Sequence, residues 1–240
     1  MIYYLHRFGI SFQDYWIYEF PFKSNVACAD FVSDKLRYHY CDILNDDIVL
    51  PLTTDKYACY KRFKEFFKRD LLGIYANNDF ILFEEFTKKH SCFIFKPLDE
   101  HLGRGIELVS TKNINVRAFF EEKLSNGSFV VEEVIQQGEE VAKMYSACVN
   151  SFRVVTFRLS NNDVKIIGVT WRIGSGKSVM DNASVGGMFA VVNPEYGFVE
   201  SSARRYNTDE YYIHPDSGVI IPGFKLPKWK EAKEMIKKIA

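Results

Sequence analysis

Two arginines occupy positions where they could bind one anion together. Arg153 and Arg172 lie in SFRVVTFRLSNNDVKIIGVTWRIG, a stretch that predicts a long β-hairpin. If Asn161 and Asn162 form a two-residue turn, Arg153 pairs with Thr170, and Arg172 becomes its diagonal neighbour on the same face. Their positive charges repel each other, so we expect a carboxylate or a phosphate between them. The alternative is that each arginine pairs with a separate surface acid, and a register slip of one residue would separate the two.

A lysine and two glycines form a second candidate for anion binding. Lys96 ends the apolar run FIFK, and Pro97 holds the chain extended after it. Gly103 and Gly105 follow in the letters GRG. Glycine lets backbone amides approach phosphate oxygens closely, and a lysine at the root of such a loop neutralises the same charges. An ordinary hairpin tip would also account for these letters.

A strongly apolar stretch runs directly into acidic residues in FVVEEVIQQGEE. Glu132 and Glu133 are either charges at the edge of a sheet or the start of a hinge between two lobes. In a hinge, the backbone would pair with a nucleotide base, while an acidic side chain would bind a sugar hydroxyl group. The segment by itself leaves both interpretations open.

The letters GSGKS, at residues 174–178, look like a phosphate-binding P-loop, but their surroundings argue against one. That motif requires a glycine where Trp171 stands, because the first glycine opens the turn that wraps the phosphates. It also requires a helix directly afterwards, and the residues after Lys177 lack a helical apolar period. We therefore expect a glycine-rich connection with a solvated lysine.

Composition excludes several classes of protein. The chain has 240 residues, and its 31 lysines and arginines balance 31 aspartates and glutamates, so no overall positive field attracts nucleic acid. No apolar run reaches the length of about 18 residues that a membrane span requires. Histidines show no metal-binding spacing, and no metal ligand is predicted. The scattered cysteines form no C-x-x-C motif, which indicates reduced thiols in a cytoplasmic protein. The five cysteines are Cys28, Cys41, Cys59, Cys92 and Cys148.

The elements that must position these residues mix helices and strands without regular alternation. This pattern favours an α+β fold with antiparallel sheets. LTTDKYACYKRFKEFFKRDLLG predicts a helix that Thr54 or Asp55 caps and Gly73 ends, and NINVRAFFEEKLSN predicts another helix. CFIFKPLDEHLGRGIELVS predicts a β-hairpin, and SFVVEEVI predicts a strand. Residues 1–50 are expected to be irregular, with aromatic side chains among polar ones, and the start MIYYLHRFGISFQDYW is expected to be either folded structure or a docking arm.

Taken in order, the motifs resemble the ATP-grasp superfamily, and most closely its sugar-transfer-associated family, which is related to alpha-L-glutamate ligases. The similar run extends from LTTDKY, through FIFKPLDEHLGRGIELV, FVVEEVIQQ, NSFRVVTF and WRIGSGKSVMDNASVGGMFAVV, to HPDSGVIIPGFKLPKW. The resemblance implies an ATP-grasp domain over residues 51–240, after an aromatic-rich segment at 1–50. A nucleotide lobe at about 91–140 and a second lobe at about 141–240 would hold ATP between antiparallel sheets.

The resemblance also implies a cytoplasmic ligase of surface-polysaccharide biosynthesis, which uses ATP and magnesium to join a carboxylate to an amine through an acyl phosphate. Its partners would be a small carboxylate or sugar substrate and a glycosyltransferase-associated protein. The residues implied to bind ATP are Lys56, Lys96, Gly103, Arg104, Gly105, Glu132, Glu133, Val134, Ile135 and Glu139, with Glu140 as the alternative to Glu139. The residues implied to act in catalysis are Arg153, Arg172 and Asn182.

One departure from the family pattern concerns magnesium. The pattern continues past the helix LPKWKEAKEMIKKIA into a strand and an acid-x-asparagine motif that holds magnesium, whereas this sequence stops at Ala240. We therefore expect a fragment or a truncated product, in which the second lobe lacks strands and the helix has an uncovered apolar face. The alternatives are a non-catalytic nucleotide-binding or scaffold protein and a module that docks on a glycosyltransferase.

Overall fold

The computed structural model describes residues 1–98, 105–176, 178, 180–183, 186–206 and 209–240, apart from the side chains of Leu50 and Thr53. Within these ranges, a helical segment comes first, and two antiparallel sheets follow one another along the chain. The helical segment and each sheet have an apolar core of their own. This arrangement confirms the predicted α+β class with antiparallel sheets.

The aromatic residues at the start of the chain belong to short helices, so the expectation of irregular structure is wrong. Phe20 and Cys28 are fully buried, and Ile10 lies with them in a small core. The side chains of Ser11 and Ser33 accept backbone N–H bonds at the starts of two of these helices. Each helix is too short for its apolar period to stand out in the sequence. The helices are α1 (Ile2–Phe8), α2 (Phe12–Ile17), α3 (Asn25–Ala29) and α4 (Asp34–Leu44).

The helix predicted from residue 52 to Gly73 is in fact two helices and a strand, which are α5 (Leu50–Thr54), α6 (Lys56–Arg62) and β1 (Leu71–Ile74). Asp55 caps α6, because its Oδ1 accepts bonds from the backbone nitrogens of Tyr57 at 2.7 Å and Ala58 at 2.9 Å. Gly73 lies inside β1, where an added Cβ atom would stand 2.6 Å from the ring of Tyr57. The prediction of a helix end at Gly73 is therefore wrong, because close packing and not capping requires this glycine.

The first sheet confirms the hairpin, the strand and the helix predicted between residues 92 and 133. It contains β1 together with β2 (Cys92–Pro97), β3 (Glu107–Ser110) and β4 (Phe129–Glu133), and all neighbours pair antiparallel in the order β1–β4–β2–β3. Helices α7 (Phe80–Lys89) and α8 (Val116–Ser125) cover one face. Phe83 and Phe120 from these helices are fully buried and pack with Phe93 and Phe129 from the strands. On the other face of the sheet, Tyr60 of α6 packs with Leu71 and Val130.

The second sheet contains the predicted hairpin, β5 (Phe152–Arg158) and β6 (Val164–Ile173), and three further strands, β7 (Met188–Val191), β8 (Ala203–Arg204) and β9 (Glu210–Tyr211). The strands pair antiparallel in chain order. One face buries Trp171 and Ile173 completely. Helix α10 (Trp229–Ile239) contributes Trp229 and Ala232 to this core, while Ile239 remains 38% exposed. A single-turn helix, α9 (Glu139–Ala142), joins the two halves.

The register of the hairpin agrees with the prediction at the end where the arginines lie, and differs near the turn. Arg153 pairs with Thr170 as expected. The turn has three residues rather than the predicted two, because Leu159 bonds to Asp163 and Asn162 adopts a left-handed conformation with φ 66°. A β-bulge after Val155 absorbs the extra residue and restores the predicted pairing. The prediction of a two-residue turn is therefore wrong, but the predicted diagonal arrangement of Arg153 and Arg172 is confirmed.

Candidate functional site

A cleft of about 520 Å³ lies between the two sheets and contains residues from both. The first sheet contributes Lys96 and Glu132, and the second contributes Arg172. The connecting segment after β4 and the loop after β6 complete the lining, the latter with Asn182. A volume of this size matches the range of small-molecule and cofactor sites. The cleft therefore joins four residues that lie far apart in the sequence.

A buried carboxylate sets the position of Lys96. Glu132 is only 5% exposed, and its Oε1 accepts a bond from Nζ of Lys96 at 2.8 Å. Its Oε2 accepts bonds from Nε and Nη2 of Arg69 at 3.1 Å and 3.0 Å. One carboxylate between two cations leaves an excess positive charge at the cleft, which favours an anionic ligand. Sequence reasoning missed Arg69, because only the pairing of β1 with β4 brings it to Glu132.

The backbone of the segment after β4 is open to hydrogen bonding by a ligand. Val134 and Ile135 line the cleft, and Ile135 is 44% exposed. Their N–H and C=O groups form no hydrogen bond with any other residue in the described ranges. Farther along, the side chain of Gln137 fixes the segment by bonding to the backbone nitrogen of Asn150 at 2.6 Å and the carbonyl oxygen of Tyr145 at 2.8 Å. An anchored segment with free backbone groups can pair with the edge of a planar ring.

The loop after β6 supplies the opposite side of the cleft. Oδ2 of Asp181 accepts a bond from the backbone nitrogen of Ser151 at 2.7 Å and another from its hydroxyl group. The carbonyl oxygen of Asn182 accepts a bond from the nitrogen of Gly187 at 3.1 Å. These bonds tie the loop to the start of β5 and hold both residues in the lining. Sequence reasoning missed Asp181, although it directly precedes Asn182.

The GSGKS letters form an anchored connection and not a P-loop. Among the described residues after Gly176, no α-helix begins before β7. The fully buried ring of His214 donates from Nε2 to the carbonyl oxygen of Gly174 at 2.9 Å, because its Nδ1 accepts backbone N–H groups from Asp216 and Ser217. Gly176 donates its own N–H group to Asp216 at 2.8 Å. Lys177, expected to be solvated, lies outside the described residues.

The two arginines predicted to act in catalysis share the face of the second sheet that lies opposite its core. Arg172 lines the cleft, whereas Arg153 lies beside it, beyond the lining. Within the described part of the chain, neither guanidinium group forms an ion pair with a carboxylate. Partial burial lowers the pKa of Arg153, and the positive charge of Arg172 lowers it further. An anion between the two side chains stays a prediction.

Other predicted residues lie outside the cleft lining. The ammonium group of Lys56 donates to the carbonyl oxygens of Pro97 at 2.9 Å and Leu98 at 2.7 Å, at the root of the glycine loop. Glu139 begins α9 and is exposed. Gly105 has φ 66°, and a Cβ atom there would stand 2.8 Å from Cγ of Pro97. Their roles in ATP binding stay predictions. Two further predicted residues, Gly103 and Arg104, lie outside the described residues.

A group of titratable side chains lies beside the cleft at Glu133. The ligand atoms of Asp70, His90 and Glu133 are within 4.8 Å of one another, a spacing that a metal ion could bridge. The cation of Lys89 instead bonds to Oδ2 of Asp70, the same oxygen that lies 3.0 Å from Nε2 of His90. The bond from Lys89 and the one from His90 lower the pKa of Asp70. Asp70 therefore already has two partners, Lys89 and His90.

The family model described as sugar-transfer associated ATP-grasp matches residues 35–240. The chain belongs to this family. Its two antiparallel sheets, with a cleft between them, are the ATP-grasp fold that the sequence motifs predicted. A search among curated proteins finds no match. No helix in the described ranges is both long and apolar enough to cross a lipid bilayer.

Proposed function

We propose that this ATP-grasp chain uses ATP to activate a carboxylate and then joins it to an amine. One observation carries the proposal: Lys96, the open backbone at residues 134–135, Arg172 and Asn182 line a single cleft. The resemblance to the ATP-grasp superfamily implied that these groups form one site. Family membership supports nucleotide binding, and the geometry supports assigning parts of the cleft to parts of ATP.

The adenine ring would pair with the free backbone groups of Val134 and Ile135. The triphosphate would extend toward Lys96, whose ammonium group keeps donors available after its bond to Glu132. Arg172, on the other sheet, would lie near the terminal phosphate. The remaining predicted contacts are Lys56, Gly103, Arg104 and Gly105 around the phosphates, Glu132 and Glu133 at the hinge, and Glu139 at the ribose.

The proposed reaction has two steps. An oxygen of the substrate carboxylate attacks the terminal phosphorus of ATP, the bond to the bridging oxygen breaks, and ADP leaves with that electron pair. An amine then attacks the carbonyl carbon of the acyl phosphate, which releases inorganic phosphate and a proton. Negative charge grows on the transferring group in the first step, and the guanidinium group of Arg172 would stabilise it. Asn182 would lie close to the acceptor.

Magnesium is the cation that this family's use of ATP implies. Both oxygens of Glu132 are engaged by cations, so it fits poorly as a magnesium ligand. Asp181 uses Oδ2 for Ser151 and has no hydrogen bond at Oδ1 to another described residue. Magnesium is commonly held by one or two carboxylates together with substrate phosphates, and Asp181 fits that requirement. When bound, the ion neutralises phosphate charge.

Calorimetric titration with ATP and magnesium tests the nucleotide site. We expect Lys96→Ala to weaken binding by about tenfold or more, because a charge-assisted bond to phosphate is lost. Lys88→Ala is the matched control, since this lysine is 69% exposed and, among the described residues, pairs only with Glu84 on its own helix. No heat of binding, or equal affinity in Lys96→Ala, would contradict the proposal.

The wider setting of the reaction is also proposed. The description of the family as associated with sugar transfer supports a place in surface-polysaccharide biosynthesis, beside a glycosyltransferase-associated partner. All five cysteines are free, and Cys41 and Cys92 are exposed, which supports a reducing cytoplasm. Isolation of the chain from its cells with a glycosyltransferase would support this setting, and its recovery alone would weaken it.

A second candidate function is nucleotide binding without turnover. The engagement of both Glu132 oxygens favours it, because within the described lining it leaves few acidic oxygens for magnesium. This candidate predicts that ATP binds but that no carboxylate and amine cause ADP release. Detection of ADP with any pair drawn from amino acids, sugar acids and simple amines would eliminate it.

A further inference from the structure

Helix α4 lies on the surface and buries none of its residues. Every residue from 34 to 49 is exposed, whereas Ser33, the cap at the start of the helix, is buried. Isolated helices shorter than about 12–15 residues are marginal in water, and most helical stability in proteins comes from packing of an amphipathic face. Helix α4 has 11 residues. The described part of the chain therefore supplies little of the packing that would stabilise it.

An apolar stripe runs along α4. Its members recur at positions i, i+4, i+7 and i+8, which is the spacing of one helical face. Each of them is between 37% and 64% exposed. An exposed apolar face of this kind, bordered by polar residues, is typical of an interaction site. The stripe consists of Leu36, Tyr40, Ile43 and Leu44.

A basic groove lies at the start of α4. Its volume is about 440 Å³, and it is lined by the end of α1 and the first turns of α4. Arg7 and Lys35 contribute positive charge to this lining, together with the rings of His6 and His39. Within the described part of the chain, neither Arg7 nor Lys35 forms an ion pair. The groove therefore favours an acidic occupant.

The opposite end of α4 is acidic. Asp42 lies in the last turn, and Asp46 and Asp47 follow the helix. Among the described residues, none of these three carboxylates pairs with a lysine or an arginine. Asp34, at the start of the helix, is already paired with Arg37 at 3.0 Å. Uncompensated positive charge thus lies at the start of α4, and uncompensated negative charge lies at its end.

We infer that two copies of this chain form a symmetric dimer through α4, with the two helices antiparallel and Tyr40 near the twofold axis. In this arrangement Leu36 of each copy lies near Leu44 of the other, so the two stripes cover each other. The start of each helix meets the end of the other, and Lys35 with its basic groove faces Asp46 of the second copy. A parallel pair would instead place like charges side by side.

A second copy is the occupant that the charge pattern favours. A twofold interface joins the same patch on both subunits, so that patch must complement itself when it is turned around. The reversed charges at the two ends of α4 give the stripe this property. An anionic lipid surface is disfavoured, because the acidic end of the stripe would be repelled by it. The inference does not depend on the proposed function, since α4 contributes no residue to the cleft lining.

Sedimentation velocity on the full chain at low salt, over a range of micromolar concentrations, tests the inference. We expect an equilibrium between monomer and dimer. Tyr40→Glu places like charges on both sides of the axis and should shift the equilibrium to monomer. Tyr38→Glu is the matched control, because Tyr38 lies on the opposite side of the same helix and is 59% exposed. It should leave the dissociation constant of the dimer unchanged.

An exchange of charges identifies the occupant as a second copy. Lys35→Glu and Asp46→Lys should each weaken the dimer by about tenfold, because symmetry repeats each change at two places in the interface. The double variant should recover the affinity, since both ion pairs form again with their signs reversed. Added salt should reduce these differences, because the charges are exposed to solvent.

Three results would overturn the inference. The first is a chain that stays monomeric at every concentration, which would mean that a different protein covers the stripe. The second is a Tyr40→Glu variant that dimerises as tightly as Tyr38→Glu. The third is a double variant that dimerises no better than either single charge variant. Circular dichroism checks that Tyr40→Glu keeps its helices, and if it does not, the charge exchange decides alone.

Discussion

The ammonium nitrogen of Lys96 lies 2.8 Å from Oε1 of Glu132, and Arg69 holds the other carboxylate oxygen at 3.0 Å. The carboxylate is almost fully buried, and both cations are partly buried. An ionised group in such a place is stable only with its partners, so each member of the trio depends on the others. The ion pair with Glu132 explains how Lys96 can remain charged at the edge of the cleft when no ligand is bound.

Replacement of the central carboxylate should destabilise the chain. Glu132→Gln leaves Lys96 and Arg69 without a counter-ion, and we expect the free energy of unfolding to fall by about 2–3 kcal/mol. Lys96→Met should lower the free energy of unfolding by a smaller amount, because Glu132 still pairs with Arg69. Lys88→Met, at an exposed pair, should change it by less than about 0.5 kcal/mol. Denaturation by urea measures all three, and equal stability of Glu132→Gln and the unaltered chain would refute the trio's structural role.

Close packing at Gly174 should make even one added methyl group harmful. A Cβ atom there would stand 2.3 Å from Sγ of Cys148 and 2.6 Å from the ring of Tyr145. We expect Gly174→Ala to lower the free energy of unfolding by about 1–3 kcal/mol, because the neighbours must move. Gly168→Ala is the matched control, because Gly168 lies in β6, which ends just before Gly174, and has open space around it. Thermal unfolding of both variants measures the difference, and similar melting temperatures would contradict the close packing at Gly174.

Cys148 should resist alkylation although it lines the cleft. Burial first, and then the nearby charge of Asp181, raise the pKa of its thiol to about 12. Almost no reactive thiolate exists at neutral pH, so maleimide should modify the exposed Cys41 and Cys92 much faster. Mass spectrometry of peptides after timed labelling at about pH 7 measures the rates. Labelling of Cys148 as fast as Cys92 would show that the thiol is accessible and ionised.

Attachment of the helical segment to the second sheet should weaken in acid. The bond to Arg204 first, and then the bond to Lys23, lower the pKa of Glu19 in the folded chain. A carboxyl group whose pKa is lowered in the folded chain stabilises the fold at pH values above its ordinary pKa of about 4.3. This stabilisation is lost as the pH falls through the pKa that the group has in the folded chain. The melting temperature of Glu19→Gln should therefore lie below that of the unaltered chain at pH 7 and converge with it near about pH 3. A difference that persists unchanged at the acidic end would contradict this origin.

Local pattern was enough to predict much of the molecule. The alternation of β5 and β6 predicted a hairpin with Arg153 opposite Thr170, because side-chain direction in a strand has a fixed period. The order of motifs predicted the family. The letters around Lys96 and Glu132 left an ordinary hairpin tip and edge charges open, and only the resemblance to the family predicted that both residues belong to one nucleotide site between two sheets. These conclusions depend on residues that are close together in the sequence, and their relative positions follow from the local geometry of the strand or turn.

Only tertiary structure determined which charges meet. Arg69 and Glu132 lie 63 residues apart, and pairing of β1 with β4 brings them together. Glu19 and Arg204 lie 185 residues apart, and no local period relates them. Gly73 was predicted to end a helix, because the sequence does not distinguish a glycine that caps a helix from one that close packing requires. Only the structure shows that the ring of Tyr57 lies against Gly73 and leaves no room for a side chain. The energies of such long-range contacts depend on distance in space, which sequence separation does not record.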